Sequence, residues 1–390
     1  MVKGLVSNYA EQIRGVSYKP NDLHNGLDND SVILLRANNI DDGRINFEDV
    51  VYVDRKKVSD FQYLRKGDVL ICASSGSKNL VGKAASVDFD IECTFGAFCK
   101  VVRPTKVAPE FLGLFFQSPN YRKKISELAQ GANINNIKNE HIDNLQLEIY
   151  SESEQRLIVE CLSRTIAVIN ARKEELSKLD ELIKARFVEM FGDVIHNTKG
   201  WEIQTFSDVT ESRLGKMLDA KKQTGKYPFP YLANYNVQWF HFNLDDLNQM
   251  DFDEADQKEF ELIDGDLMVC EGGEIGRCAV WHNDIQPCYF QKAIHRVRCK
   301  QEYLRPDYLA WWFKFNCDHG GFAAIEGAKA TISHLPGAKL KKLSVTIPPL
   351  TLQNEFVTFV KQVDKSKVAI QKSLDETQLL FDSLMQKYFG

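Results

Sequence analysis

A chain of 390 residues is too long for one ordinary hydrophobic core, and with 44% apolar and 26% charged side chains it is neither disordered nor fibrous. A net charge of −5 argues against a protein that grips nucleic acid by bulk electrostatics, so any such contact has to be local or shared with a more basic partner. No apolar run approaches the roughly 20 residues of a bilayer span, and the opening MVKGLVSNYA lacks the apolar core of a signal peptide, so the expectation is a cytoplasmic protein with no membrane partner.

In chain order, short strands are predicted at SVILLRA (31–37), DVLICAS (68–74) and FGAFCKVV (95–102), then a helical stretch PEFLGLFFQSPNYRKKISELA (109–129) and a long helix over 154–190. The second half repeats the plan with strands at DLMVCEG (266–272) and AIHRVRC (293–299), a helix at RPDYLAWWFKFNCDHGGFAAI (305–325) and another long helix. Strand and helix signals interleave with Gly turns, which points to α+β domains. Phe115, Phe116, Trp311 and Trp312 lie on the helices and are read as core. The nine cysteines contain no C-x-x-C pair and are expected to be buried thiols, and the scattered histidines form no metal-binding motif, so no metal site is expected.

The chain repeats itself. RKGDVLICAS (65–74) and IDGDLMVCEG (263–272) are displaced by 198 residues, as are INNIKNEHIDNLQLEI (134–149) and ISHLPGAKLKKLSVTI (332–347), Gln155 and Gln353, and Phe191 and Phe389. LLRANNI (34–40) resembles YLANYNV (231–237), with Asn39 and Asn236 displaced by 197. Two copies, about 1–193 and 199–390, are joined by the short stretch 194–200. Between these anchors the copies differ, as in SSGSKNLVGKAASVD (74–88) against GGEIGRCAVWHND (272–284). A shared frame with different loops is the pattern of two readers on one scaffold.

The long helices carry a heptad seam in alternating steps of four and three: Ile158, Leu162, Ile169, Leu176, Leu179 and Ile183 in the first, with Thr165, Arg172, Arg186 and Met190 in the same register. The second has Phe356, Val360, Val363, Ile370, Leu374, Phe381 and Leu384, with Lys367, Thr377 and Tyr388. At 1.5 Å per residue each helix would run roughly 55 Å. Each could pack on its own domain, but two matched seams supply each other with a partner. Antiparallel pairing as a coiled coil would relate the copies by a pseudo-twofold axis and make the helices a rigid spacer. The domains are thus expected at 1–150 and 194–348, with spacer helices at 151–193 and 349–390.

Two polar sets stand out as candidate DNA contacts. The loop after the repeated strand offers Ser74, Ser75, Ser77, Lys78, Asn79 and Lys83 in the first copy, and Glu271, Glu274 and Arg277 in the second. Such groups reach phosphates or base edges, an acidic side chain accepting from cytosine and Arg donating to guanine, or else they are solvated turns. The segment before the short helix offers Asn133, Asn135, Asn136 and Lys138 against Lys329, Thr331, Ser333 and His334; Asn pairs with adenine but is also a common cap residue. Lys292, Arg296 and Arg298 on QKAIHRVRC would touch phosphates or simply face solvent.

The GDVL and GDLM turns, the Gly-containing loops after them, the GANINNI and GAKATIS segments and the EQRLI helix opening at 154–158 resemble the specificity subunit of type I restriction-modification systems, the HsdS family, along the whole chain. In many members a Pro-Pro and a Glu-Gln introduce the helix. Here Pro348 and Pro349 precede LQ in the second copy, while the first has EQ without the prolines. The resemblance implies two target recognition domains that read the halves of an asymmetric, bipartite double-stranded DNA sequence. It implies helices that set the gap and dock two methyltransferase subunits, with nuclease and translocase subunits added for restriction. S-adenosylmethionine and ATP are then expected on those partners, and no cofactor on this chain. Half-sites about one DNA turn apart, roughly 34 Å, require a spacer of fixed length.

The chain itself reads as non-catalytic. IPPL (347–350) lacks the Asn and the aromatic of an amino-methyltransferase motif, and neither a G-x-x-x-x-G-K-[ST] loop nor a Pro-Asp…Glu-x-Lys nuclease pattern occurs. The competing class is a tandem coiled-coil adaptor whose globular parts bind protein. A specificity subunit serving a fused nuclease-methyltransferase is a near variant of the first reading.

Overall fold

The computed structural model describes residues 2–41, 43–77, 79–129, 135–219, 223–323 and 334–390. Its backbone divides into two compact units, Met1–Glu174 with Gln371–Gly390, and Glu175–Ile370.

Both units are α+β and are built on one antiparallel sheet of four strands. The order is Ala84–Ser86, Val69–Cys72, Cys99–Pro104, Ala10–Arg14 in the first, and Cys278–Val280, Leu267–Cys270, Ile294–Cys299, Thr210–Leu214 in the second. Every residue of Val69–Cys72 and of Leu267–Cys270 is buried, which explains their unbroken apolar runs. A parallel pair also recurs, Cys93–Phe95 with Ser31–Leu35 and Tyr289–Phe290 with Pro228–Leu232. So does an antiparallel pair, Val2–Leu5 with Gln146–Ile149 and Glu202–Thr205 with Ser344–Ile347. The stretch 109–129 is two helices, Pro109–Gln117 and Pro119–Leu128, because Pro119 pushes Ser118 into extended backbone, where its hydroxyl accepts from the Tyr121 amide at 3.2 Å. Phe115, Phe116, Trp311 and Trp312 are all core. Of the nine free thiols six are buried; Cys161 is exposed on its helix, and Cys299 and Cys317 are half-buried.

The repeated residues turn out to be framework. Gly67 and Gly265 have φ of +94° and +85°, a turn that only glycine enters without strain, and their amides pair with Val87 O and Trp281 O at 2.8 and 2.9 Å. Asp68 and Asp266 accept from the Arg65 and Ile263 amides at 2.8 and 3.0 Å and close the turn. Asn39 and Asn236 are fully buried, each accepting at 2.8 Å from the amide three residues before it. Gly15 and Gly215 lie so close to the neighbouring chain that a Cβ would be 2.2 Å from Gly96 O or 2.3 Å from Gln291 O.

The long helices run Glu152–Phe191 and Leu350–Phe389. Buried Gln155 ties the start of the first to its own domain, accepting from the Ala108 amide and donating to Tyr150 O, both at 2.9 Å. Gln353 does the same with the Arg305 amide and with Tyr303 O and Pro348 O, all at 2.8 Å. Within each unit the two helices pack antiparallel. In the first, Ile158 and Leu162 share a core with Met385 and Phe389, flanked by Phe381 and Leu384. In the second, Ile183, Phe187 and Phe191 share one with Phe356, Val360 and Val363, flanked by Leu179, and further along Lys367 Nζ lies 2.6 Å from Asp180 Oδ1. Ile169 and Leu374 are buried, Leu176 and Ile370 half-buried. Towards the C-terminal end of each helix the most buried positions are Phe187 and Phe191 and Met385 and Phe389, one residue beyond the expected seam, where Arg186, Leu384 and Tyr388 are half-buried.

Candidate nucleic-acid interface

The GD turn anchors the strand that leads into each candidate loop. Arg103 Nε and Nη2 donate to Asp68 Oδ1 and Oδ2, both at 2.8 Å, and Nη2 also reaches Tyr63 O at 2.9 Å. Arg298 Nε and Nη2 hold Asp266 at 2.7 and 3.1 Å and Nη2 reaches Glu261 O at 3.3 Å. Two-pronged pairs of this kind fix both partners in one plane. Arg298 is therefore engaged with its own domain. Arg296 likewise donates to Glu259 O and Glu261 O at 2.8 and 3.2 Å.

In the first unit the two polar sets are one element. Ser74–Ser75 pairs antiparallel with Asn135–Asn136, and the Ile137 amide donates to Ala73 O at 2.8 Å. The loop 74–82 closes on itself through Gly82 N to Cys72 O at 2.8 Å and Cys72 N to Lys83 O at 2.9 Å. Arg122, from the helix Pro119–Leu128, braces it by donating to Val81 O and Asn79 O at 2.8 and 3.0 Å. That leaves Ser77 and Asn79 exposed and Ser74 and Ser75 half-buried. Asn136 and Lys138 are exposed, and Lys138 Nζ is 3.3 Å from Glu140. Lys83 is half-buried, 3.9 Å from Asp41.

The second unit repeats the closure with other side chains. Gly272 bridges to His334, the Leu335 amide donates to Glu271 O at 2.6 Å, and Cys270 N to Arg277 O at 2.8 Å replaces the Cys72 to Lys83 bond. Of the loop's polar groups here, Glu271 and Arg277 are wholly or partly buried while Glu274 stays exposed. Glu274 Oε1 accepts the Trp239 indole N–H at 2.7 Å. Arg277 Nη2 donates to Asn234 Oδ1 at 2.8 Å, and Asn234 Nδ2 in turn to Gly272 O at 2.9 Å. His334 Nδ1 lies 3.0 Å from Glu271 O, and Lys292 is exposed. Lys78, Asn133, Lys329, Thr331 and Ser333 lie outside the described residues.

Sequence reasoning missed Arg122 and Asn234, which hold these loops in place. Arg122 is one of three consecutive basic residues on an amphipathic helix, and Asn234 aligns with Ala37, so neither carries a repeat signal. It also missed the brace beneath the second strand of each element. Lys100 Nζ bonds Asn139 Oδ1. At the matching place on its strand His295 Nε2 donates to Leu335 O at 3.2 Å, and burial pushes its pKa down, favouring the neutral ring. The framework is thus common to both units while the groups presented to solvent differ: Ser77, Asn79, Asn136 and Lys138 in one, Glu274, Lys292 and His334 in the other.

A family model for the type I restriction modification DNA specificity domain matches the chain twice, over residues 20–180 and 198–377. The type I restriction enzyme EcoKI specificity subunit of Escherichia coli K12 is 29% identical over 98% of this chain and 86% of that protein. The StySPI specificity subunit of Salmonella potsdam is 40% identical over 46% of this chain and 39% of its own length. Among solved structures, a chain of a type I restriction-modification system shares the fold with a TM-score of 0.63 at 15% identity, covering 100% of this chain and 97% of that one. The type I system S subunit from M. genitalium does so with 0.58 at 13%, covering 100% and 96%. With two matches spanning most of its length and the framework residues duplicated in both units, the chain belongs to the family of type I restriction modification DNA specificity domains.

Proposed function

We infer that this chain is the DNA sequence-specificity subunit of a type I restriction-modification complex, reading an asymmetric, bipartite target through its two recognition domains. The observation that carries this is the duplicated closure at Ala73–Ile137 and Glu271–Leu335, one backbone frame that presents different side chains in each copy. A tandem coiled-coil adaptor would have no use for two divergent polar loops on one frame, and the family match weighs against it. The chain is a non-catalytic component; the chemistry belongs to partners.

Those partners are DNA and the methyltransferase of the system. Two methyltransferase subunits docked on the paired helices, with nuclease and translocase subunits added for restriction, is the arrangement we propose. S-adenosylmethionine would bind the methyltransferase and ATP the translocase. The local polar faces, in a chain of net charge −5, suit a reader that leaves much of the phosphate grip to those subunits. Of the candidate contacts, the exposed Ser77, Asn79, Asn136, Lys138, Lys292 and His334 are the side chains best placed to reach DNA.

The test is single-molecule sequencing of N6-methyladenine in a methylation-free host that expresses this chain with its methyltransferase subunit. A bipartite motif that disappears when this chain is omitted supports the reading. No motif from soluble, associated subunits overturns it.

A further inference from the structure

The turn beside the first candidate loop carries Phe98, which is 69% exposed. The turn is rigid: Ala97 N donates to Val16 O at 2.9 Å and Cys99 N to Gly96 O at 2.8 Å, while Phe98 O accepts from Ala73 N and Ser74 N at 2.8 and 3.0 Å. Ser74 is itself paired with Asn136. Phe98 is therefore continuous, through backbone hydrogen bonds, with the element proposed to face DNA.

The second unit places a turn at the same point with another backbone, Ala293 having a φ of +83° that Phe98 does not share. Lys292 N donates to Lys216 O at 2.7 Å and Glu271 N to Ala293 O at 2.9 Å, so Ala293 stands where Phe98 stands in the first. The frame does not need an aromatic there, since the second unit does without one. Lone exposed apolar residues are ordinary, but this Phe sits on a braced turn bonded to Ala73 and Ser74 of the element proposed to face DNA, and apolar contact is how a thymine methyl or an unstacked base face is recognised.

Resting on the recognition role above, we propose that Phe98 is a specificity-determining residue of the first domain, making an apolar contact with a base of the first half-site that the second domain has no counterpart for. Its ring meets either the 5-methyl edge of a thymine or the face of an unstacked base, one apolar chemistry from two sources.

The test uses the assembled methyltransferase complex and a panel of duplexes varied one base pair at a time through both half-sites. F98A is expected to flatten the preference at one position of the first half-site and to leave the second unchanged, which serves as the internal control for folding. F98L, still apolar, retains part of the preference. If the contact is to a methyl, replacing that thymine by deoxyuridine slows the wild type about four-fold, the worth of one buried methyl, and F98A not at all. If it is to a base face, 2-aminopurine at that position brightens with the wild type and not with F98A, and F98A loses about 10- to 100-fold. Unchanged preferences in F98A, or an equal loss over every duplex, overturn the proposal. A wild-type complex without selectivity overturns the recognition role itself.

Discussion

Arg103 grips Asp68 through two hydrogen bonds of 2.8 Å, with both side chains buried, and the pair ties the turn before Val69–Cys72 to the neighbouring strand Cys99–Pro104, at the end of the sheet away from the first candidate loop. The same pair recurs as Arg298 and Asp266, where the guanidinium is 36% exposed. The repeated Gly-Asp thus serves the frame on which the loops are varied.

This difference in burial sets an order of costs. D68A strands a buried guanidinium and should destabilise its unit by about 3–5 kcal/mol. D266A leaves one that water can reach and should cost less, about 1–3 kcal/mol. Denaturant unfolding of the two variants checks the ranking, and equal midpoints would refute it.

The paired helices divide in the same way between apolar core and surface charge. Phe356 is fully buried, with rings of Phe187 and Phe191 each 5.4 Å away, so F356A should cost about 3–5 kcal/mol. Lys367 bridges to Asp180 with both groups partly in water, so K367A should change stability by less than about 1 kcal/mol. Calorimetry of the two variants measures the contrast.

Asp251 organises the turn 224–227 in the second unit. Burial alone would raise its carboxyl, but the Thr224 amide and hydroxyl and the Tyr227 and Gly225 amides outweigh it and lower the pKa from 3.8 to about 2. A depressed carboxylate contributes its stability in full above the unfolded value and loses it as pH falls through the folded one. The turn should therefore hold at pH 5 and release between about pH 4 and 2, and D251N should abolish that step. Amide chemical shifts of Gly225 and Tyr227 followed against pH report it.

Arg122 makes its two bonds to backbone carbonyls of the loop, those of Val81 and Asn79. R122A should cost about 1–3 kcal/mol locally, and weaken methylation of cognate DNA several-fold through the first half-site alone. Hydrogen exchange over 76–83 should quicken while the sheet strand Val69–Cys72 stays protected.

The architecture was legible in the sequence because it is written in local, periodic quantities. A 198-residue offset carried by Gly67 and Gly265, Gln155 and Gln353 and Phe191 and Phe389 declares two copies, and the four-and-three spacing from Ile158 and from Phe356 declares a helical seam, before any fold is known. The α+β class followed from strands and helices that alternate. Even the break at Ser118 is present in Pro119, although the helical pattern of 109–129 runs across it.

Partner choice was not legible, because it depends on which distant residues the fold brings together. Arg298, a plausible phosphate contact on a strand, is taken by Asp266 from 32 residues away, and Arg277 by Asn234 from 43. The loop after the GD strand and the segment before the short helix are more than fifty residues apart, and only the tertiary structure makes them one element, through Ile137 N to Ala73 O and Leu335 N to Glu271 O. A charge or an amide has no periodicity from which its partner can be read. What the sequence by itself determined is the repeated frame; which polar groups that frame consumes and which it leaves exposed was decided by hydrogen bonds between residues that only folding makes neighbours.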